Sequence, residues 1–383
     1  MIPFNKPFLT GKEFQYLNKA NSLGQLSGDG FFSKKCKQWL EKKTSTHSVL
    51  LTNSCTAALE MAAILTDIKK GDEIIMPSYT FTSTANAFAL RGGKPIFVDI
   101  NPETLNIDVK KIEELINENT KAIVAVHYAG LACDMEEIVA IAKKYKLLVI
   151  EDAAQGVMST YKGKALGSIG DLGCYSFHET KNIIAGEAGA LLINNKKYLE
   201  RAEYIRDKGT NRSAFNKGHI NKYTWVDIGS SFLPGELTAA FLLAQLEQAE
   251  MITKERLKIW NYYKEGLKEI TEKGLVSVPL SQEGKKHNGH IFYLIHSTSN
   301  ERDLFIEKMR QKGVMVVFHY IPLHISPYAL KNFNTKNLKL PYTESLYKRI
   351  SRIPIWLGID KEYVLRTVKK TLIEIKKNPL KET

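Results

Sequence analysis

Short apolar segments rich in Val, Ile and Leu alternate with helical patterns along the first 150 residues. This alternation is typical of a mostly parallel sheet covered by helices on both faces. We therefore predict an α/β fold with a mostly parallel sheet flanked by helices. The predicted strands are 49–52, 72–77, 95–99, 122–126 and 147–150, and the predicted helices are 31–43, 53–65, 84–90, 109–118 and 135–145.

Polar and aromatic side chains follow these strands at the points where the strands end. In open α/β sheets, ligands bind at the carboxyl ends of the strands. Residues that are distant in sequence should therefore meet in one crevice. The segments concerned are 52–56, 78–81, 127–128 and 152–155.

An acid and a lysine at two of these positions indicate the chemistry. Asp152 follows the apolar run 147–150, and Lys181 lies about thirty residues further on, after the next strand. A pyridoxal phosphate (PLP) enzyme needs a lysine that forms a Schiff base with the cofactor aldehyde. It also needs a carboxylate that keeps the pyridine nitrogen protonated. We predict that PLP is the cofactor and that Lys181 and Asp152 are the catalytic residues.

The helix after the first strand begins with small polar residues, Ser54 and Thr56 among them. The first turn of a helix exposes unpaired N–H groups and a positive dipole end, which suit a phosphate. Ordinary capping by the Ser or Thr hydroxyl is the alternative. Phe81 lies at the next strand-to-helix turn, where an aromatic ring either stacks on a flat heterocycle or packs in the core.

The second half of the chain predicts a separate α+β unit. A helical stretch at 236–263 contains neither Pro nor Gly, and the pattern changes after about residue 265. We expect a large PLP-binding domain at 1–250, beginning with an irregular arm at 1–30, and a small domain at 251–383. Gly28 and Asp29 form a turn in the arm, which is either a simple loop or a substrate contact. In the small domain we predict strands at 291–296 and 314–320 and helices at 302–312, 344–351 and 362–377.

The composition argues against several classes of function. Net charge is +13, but the lysines are scattered and no nucleic-acid recognition motif accompanies them, so we expect no nucleic-acid partner. The four cysteines show neither CxxC pairing nor metal-ligand spacing, as expected of reduced thiols without a metal. The sequence starts without a signal-peptide pattern and has no apolar run of membrane-spanning length. We therefore expect a cytoplasmic enzyme without a membrane partner.

Five segments follow one another along nearly the whole chain: SCTAA at 54–58, PSYTF at 77–81, EDAAQ at 151–155, SFHETK at 176–181 and FHYIPLH at 318–324. Together they resemble the DegT/StrS group of nucleotide-sugar aminotransferases. The resemblance implies the PLP-dependent transferase fold type I and a homodimer. Segments 126–130, 151–163 and 208–213 are most similar to enzymes that make dTDP-4-amino-4,6-dideoxy-D-galactose. They imply that L-glutamate donates an amino group to C4 of dTDP-4-keto-6-deoxy-D-glucose, for enterobacterial common antigen or O-antigen synthesis.

The resemblance also assigns roles to single residues. Gln155 matches the group beside the phenolic oxygen of the cofactor, and Phe81 matches the stacking aromatic. Many relatives carry Gly-x-Asn-x-Arg, which reaches the phosphate from the partner subunit. Here the segment reads Gly-Ser-Ser-Phe-Leu at 229–233, so only Ser231 is able to donate there. Cys55, Thr56 and Ser176 match the phosphate site, and His319, Tyr320 and His324 lie where the family's C-terminal domain approaches the sugar nucleotide.

Two alternatives stay open from the sequence, and two others are disfavoured by the residues present. Arg212 either binds a carboxylate or diphosphate or is simply solvated. The amino group goes either to C4, with a galacto or gluco product, or to C3 of another keto sugar. A binding protein that kept the fold without the chemistry would be expected to lose Lys181 or Asp152, and both are present. A sugar dehydratase of the same family would have histidine in place of Lys181.

Overall fold

The computed structural model describes residues 1–377. Its central element is a seven-stranded sheet, ordered β1-β9-β8-β5-β4-β2-β3. The strands are β1 Ser48–Thr52, β2 Glu73–Pro77, β3 Lys94–Val98, β4 Thr120–Val126, β5 Leu148–Asp152, β6 Thr160–Tyr161, β7 Lys164–Ala165, β8 Leu172–Ser176, β9 Gly189–Ile193, β10 Val276–Ser277, β11 Lys285–Lys286, β12 Phe292–His296 and β13 Ile350–Ile353.

Helices cover the sheet and fill the C-terminal part of the chain. Short 3₁₀ turns at Val109–Lys111, Glu113–Leu115, Tyr128–Gly130, Lys196–Tyr198 and Leu323–Ile325 connect some of the elements. The α-helices are α1 Glu13–Ser22, α2 Phe31–Thr44, α3 Cys55–Leu65, α4 Thr82–Ala89, α5 Met135–Tyr145, α6 Leu199–Arg206, α7 Arg212–Asn216, α8 Glu236–Glu247, α9 Ala249–Gly266, α10 Lys268–Glu272, α11 Ser299–Gln311, α12 Pro327–Asn332, α13 Pro341–Leu346 and α14 Lys361–Lys377.

The central sheet is mostly parallel, as the alternation predicts. β3, β2, β4, β5 and β8 pair in parallel, whereas β9 runs antiparallel to both of its neighbours, β8 and β1. Successive side chains of a strand point to opposite faces, and here both faces are buried. Leu51 packs into the core on one face, and Leu50 packs into the core on the other. The predicted α/β fold is confirmed.

A second hydrophobic core lies in the C-terminal part. The antiparallel sheet β10-β12-β13 supports it. Trp260 of α9, Phe292 of β12 and Phe305 of α11 are fully buried there, together with apolar side chains of α14. No helix within residues 1–377 is long and apolar enough to cross a membrane.

The N-terminal arm is not irregular throughout, because it contains α1. The buried Glu13 carboxylate accepts hydrogen bonds from the backbone N–H groups of Thr10 (2.8 Å) and Gly11 (2.9 Å) and from Nε2 of Gln245 (2.7 Å). These contacts fix the start of α1 against α8. The helix forms through packing against a distant element, which local sequence does not reveal.

Four further predicted elements are wrong. The stretch 236–263 is two helices, because the backbone leaves the helical conformation at Gln248 (φ −105°, ψ 8°). The stretch 314–320 forms only single bridges, Val314 with Ile2 and Val317 with Arg352, since no neighbouring strand continues the ladder. The predicted helix 344–351 is wrong, because α13 ends at Leu346 and β13 follows it. The predicted helix 109–118 is also wrong, because two 3₁₀ turns occupy that stretch.

Candidate active site

A cavity of about 720 Å³ opens at the carboxyl ends of the parallel strands. The starts of α3 and α4 form one part of its wall, and the segment 317–320 and β13 form another. Ten of the residues singled out from the sequence line it. They are Ser54, Cys55, Thr56, Phe81, Asp152, Gln155, Ser176, Lys181, His319 and Tyr320.

Lys181 lies in the loop between β8 and β9, and its backbone N–H donates to the carbonyl of His178 (2.9 Å). The side chain lines the cavity. Burial lowers the pKa of the Lys181 amine below its ordinary value of 10.5, and the positive charge of Arg352 lowers it further. Cys55 and Asp152 act in the opposite direction but do not cancel the effect. A lysine in this setting holds its neutral form at a lower pH than a solvated lysine.

Asp152 is the last residue of β5, which places its carboxylate at the cavity. Oδ2 accepts a hydrogen bond from Oγ1 of Thr84 (2.7 Å), and Oδ1 accepts one from the backbone N–H of Ala154 (3.2 Å). A further hydrogen bond joins the hydroxyls of Thr84 and Thr80 (2.8 Å). The carboxylate is therefore oriented by fixed neighbours.

The start of α3 faces the same cavity. Oγ of Ser54 accepts from the backbone N–H of Ala57 (3.0 Å), so this hydroxyl does cap the helix. The hydroxyls of Thr56 and Ser83 hydrogen-bond each other (2.8 Å), and both residues line the cavity. β9 passes close to the start of α3, since a Cβ added to Gly189 would lie 2.4 Å from the carbonyl carbon of Ser54.

Aromatic side chains and Gln155 form another part of the wall. Phe81 precedes α4 with 56% of its surface exposed, and its ring centroid lies 6.1 Å from that of Tyr320. Gln155 accepts from the backbone N–H of Ala129 (2.6 Å) and donates to the hydroxyl of Tyr320 (2.9 Å). Burial raises the pKa of Tyr320 to about 12, so the phenol stays protonated at neutral pH.

His319 stacks on Tyr320, with ring centroids 3.7 Å apart. A hydrogen bond of 2.6 Å joins its Nδ1 to the hydroxyl of Tyr128. Burial holds the pKa of His319 well below its usual range, and nearby cations including Arg352 act in the same direction. The imidazole is therefore neutral at neutral pH.

Five of the residues proposed from the sequence do not line this cavity. Gly28 precedes Asp29, and Oδ2 of Asp29 accepts a hydrogen bond from Nη2 of Arg206 (2.6 Å). Ser231 is exposed. Arg212 lies in α7 near Asp207. His324 is fully buried, with Nδ1 bonded to Oγ of Ser78 (2.7 Å) and Nε2 near Glu344 (3.4 Å), so it joins the segment after β2 to α13.

The sequence reasoning missed two arginines that line the cavity. Arg352 lies in β13, and Arg256 lies in α9. Burial lowers the pKa of both guanidinium groups, that of Arg256 to about 10. The available signal was a charged residue within the otherwise apolar pattern Ile-Ser-Arg-Ile at 350–353. A strand that buries its neighbours rarely carries an unpaired arginine without a reason.

A sequence model of the "DegT/DnrJ/EryC1/StrS aminotransferase family" matches residues 7–371. The chain belongs to this family. It is 36% identical to an uncharacterised protein of Methanocaldococcus jannaschii over 82% of this chain and 83% of that one. It is 33% identical to the spore coat polysaccharide biosynthesis protein SpsC of Bacillus subtilis (95% and 94% covered) and 31% identical to GDP-perosamine synthase of Escherichia coli O157:H7 (95% and 96% covered).

Solved structures of other proteins share the fold of this chain. The aminotransferase TlmJ of Streptoalloteichus hindustanus superposes with a TM-score of 0.90 at 25% identity, covering 98% of this chain and 100% of that one. NtdA of Bacillus subtilis, solved with its cofactor PMP, superposes with a TM-score of 0.86 at 27% identity, covering 97% and 86%. PMP is the amino form of PLP, and PLP is the cofactor of this chain.

The residues present in the cavity fit PLP. A helix start with free N–H groups and hydroxyls suits the phosphate, an oriented carboxylate suits the ring nitrogen, and a buried amine suits the aldehyde. The chain is therefore an aminotransferase of sugar biosynthesis by family, with a cavity whose chemistry agrees.

Proposed function

We propose that this aminotransferase moves an amino group from L-glutamate to C4 of dTDP-4-keto-6-deoxy-D-glucose, giving dTDP-4-amino-4,6-dideoxy-D-galactose. The observation that carries the amino transfer is the meeting of Lys181, Asp152 and the start of α3 in one cavity. The choice of sugar nucleotide rests on the resemblance of segments 126–130, 151–163 and 208–213. The partners in this proposal are the two substrates and a second copy of the chain. The product would serve cell-surface polysaccharide synthesis, as the name of SpsC indicates for that relative.

Four groups would hold the cofactor. The start of α3, with the hydroxyls of Thr56 and Ser176, would bind the phosphate. Asp152 would hold a proton on the ring nitrogen, because Thr84 and Ala154 fix its carboxylate. Phe81 would cover the ring, and Gln155 would lie beside its phenolic oxygen. When bound, PLP supplies a cationic ring that accepts the electron pair left when the donor loses its Cα proton.

Lys181 would attach the cofactor and move the proton. Its amine has a lowered pKa, so it would accept a proton from the donor's Cα and give it to the aldehyde carbon of the cofactor. His319 is neutral and bonded to Tyr128, which suits a hydrogen-bonding partner of the substrate better than a second base. Tyr320, held by Gln155, would border the sugar.

The test is an assay with purified protein, PLP, L-glutamate and dTDP-4-keto-6-deoxy-D-glucose. We expect 2-oxoglutarate and a dTDP-amino sugar, with NMR showing an axial amine at C4. Lys181→Ala should give neither product. If the wild-type enzyme forms no product with glutamate, or if the product carries its amine at C3, the proposal is contradicted. An equatorial amine at C4 would assign the gluco product instead.

A GDP-linked keto sugar is the second candidate substrate. The observation that favours it is the 31% identity to GDP-perosamine synthase over 95% of this chain. The same assay with the GDP-linked 4-keto-6-deoxyhexose separates the two, because kcat/KM should be higher for the true substrate. A tenfold preference for the GDP sugar would replace the dTDP assignment and leave the amino transfer unchanged.

A further inference from the structure

Arg352 is a cation on the cavity wall whose charge has no partner within residues 1–377. Its guanidinium donates from Nε (3.2 Å) and Nη2 (3.1 Å) to the carbonyl of Phe318, which fixes its orientation. None of the carboxylates in the described part of the chain lies within ion-pair distance of it. A guanidinium carries five N–H donors, so three remain after these two bonds.

The ring of Phe4 and the backbone carbonyl of Phe318 restrict the movement of Arg352. Its guanidinium carbon lies 4.8 Å from the ring centroid of Phe4, and the Phe318 carbonyl holds its other edge. Both neighbours also line the cavity. A fixed, partly desolvated guanidinium with free donors suits a carboxylate, because the pair gains charge-assisted hydrogen bonds without ordering a flexible side chain.

The charged groups around the cavity differ in their availability to a ligand. Arg256 and Arg352 carry positive charge, the Lys181 amine has a lowered pKa, and Asp152 and Glu187 supply the carboxylates. The Asp152 carboxylate already accepts from Thr84 and Ala154, and Glu187 lies beside His178 (3.5 Å). Arg256 is bonded to the backbone carbonyls of Gly289 (3.2 Å) and His290 (2.9 Å). Arg352 makes as many bonds to a backbone carbonyl, but it is only half-buried whereas Arg256 is buried, so Arg352 is the arginine more available to a ligand.

The position of Arg352 points to the amino donor. Arg352, Lys181 and Tyr320 line the same cavity, and the positive charge of Arg352 helps to lower the pKa of the amine proposed to move the proton. The donor's Cα must lie beside that amine, and its carboxylate is one bond from Cα. The diphosphate of a sugar nucleotide is separated from the reacting carbon by most of the sugar ring.

We propose that Arg352 binds a carboxylate of the amino-acid donor and thereby sets the donor's Cα beside Lys181. The inference rests on the proposed amino transfer from glutamate. Arg352 would be specific to the first half of the reaction, in which glutamate gives up its amine. It would have no role in the second half, in which the keto sugar takes the amine.

The test measures each half-reaction alone, with holoenzyme that carries Arg352→Gln. Absorbance follows conversion of the PLP form by L-glutamate, and then of the amino form by the keto sugar nucleotide. We expect the glutamate concentration for half-maximal rate to rise roughly 10- to 100-fold. The value for the keto sugar nucleotide should stay within about twofold. Arg352→Lys should recover part of the loss, because it keeps the charge but not the fork.

Arg366→Gln is the matched control, since it removes the same charge from an exposed position on α14. Calorimetry with glutarate, a dicarboxylate without an amine, adds a binding readout. The wild type and Arg366→Gln should bind glutarate, and Arg352→Gln should bind it roughly 10- to 100-fold more weakly.

An Arg352→Gln enzyme that handles glutamate like the wild type would overturn the inference alone. A change confined to the keto sugar half-reaction would also overturn it and assign Arg352 to the nucleotide sugar. A wild type that glutamate does not convert would overturn the proposed donor and this inference together. If Arg352→Gln does not fold, a crystal structure of the wild type with glutarate decides: a carboxylate on the guanidinium supports the inference, and glutarate bound away from it refutes it.

Discussion

The burial of Lys181 should change the pH dependence of covalent cofactor attachment. A lysine captures the cofactor aldehyde only as the neutral amine, and the pKa of Lys181 is lowered from 10.5. The rate at which apoenzyme forms its covalent PLP adduct should therefore rise with pH and reach half its maximum below pH 10.5. Stopped-flow absorbance after mixing apoenzyme with PLP measures this rate. Lys181→Ala should form no adduct that borohydride reduces, and a midpoint at or above 10.5 would contradict the burial argument.

Removing the hydroxyl of Thr84 should weaken the orientation of the Asp152 carboxylate. This hydroxyl donates to Oδ2 of Asp152 at 2.7 Å, and valine has the same shape without the donor. Thr84→Val should lower kcat about 10- to 100-fold, because the carboxylate loses a fixed charge-assisted hydrogen bond. Thr82→Val is the matched control on the exposed side of α4. Equal kcat values for both variants would show that Ala154 alone orients the carboxylate.

At the residue scale, the sequence reveals groups whose chemistry depends on local position. Asp152 at a strand end and Lys181 after the next strand are recognisable because a parallel sheet brings strand ends together. Arg352 was missed because its location on the cavity depends on how β13 meets Phe318, which no local pattern encodes. His324 was placed at the substrate, yet both of its ring nitrogens contact protein groups in a fully buried position.

At the element scale, β9 packs so closely on the start of α3 that a side chain has no room between them. Gly189, the first residue of β9, lies where a Cβ would come within 2.4 Å of the Ser54 carbonyl and 2.5 Å of the Cys55 nitrogen. Gly189→Ala should therefore displace the start of α3. We expect a loss of about 1–3 kcal/mol in the free energy of unfolding and weaker PLP binding. Chemical denaturation and a PLP titration measure the two effects.

Gly235→Ala is the control for this prediction. Gly235 precedes α8 with a negative φ of −74°, and its added Cβ would meet only the Leu26 carbonyl at 3.3 Å. The control should keep wild-type PLP affinity. If Gly189→Ala also keeps it, the start of α3 is not the cofactor's phosphate site or adjusts to the added methyl group.

Elements with strong local signals were predicted well. The helix of α5 agrees with the predicted range 135–145, because acidic residues begin it and lysines end it. The segment 314–320 is apolar enough for a strand, but its neighbours, Ile2 and Arg352, each supply one bridge only. Strand formation depends on a partner strand, and neither neighbour pairs with this segment beyond its one bridge.

At the scale of the whole molecule, the N-terminus joins the two cores. The backbone N–H of Ile2 donates to the carbonyl of Gly313 (2.7 Å), and Nε1 of Trp356 donates to the carbonyl of Pro3 (3.0 Å). Further along, α1 packs on α8, beside the sheet. Sequence reasoning did not predict this connection, since its contacts join residues that are 232 to 353 positions apart. The division into 1–250 and 251–383 stays a proposal.

An exposed aromatic surface predicts the oligomeric state. Trp225 is 79% exposed, and Tyr223, Val226 and Ile228 beside it are also exposed, close to Ser231 in sequence. A stable monomer rarely exposes several large apolar side chains together. We propose that a second copy of the chain covers them, as expected for the homodimer, and that Ser231 then approaches the partner's cavity.

Sedimentation equilibrium should give the wild type twice the mass of one chain at micromolar concentration. Trp225→Ser with Tyr223→Ser should shift the protein toward the monomer, because the interface loses its largest apolar side chains. Tyr328→Ser is the control, since Tyr328 is 60% exposed but belongs to α12, a different segment of the chain. A wild type that stays monomeric would contradict the proposed dimer, and it would leave Ser231 without access to any cavity.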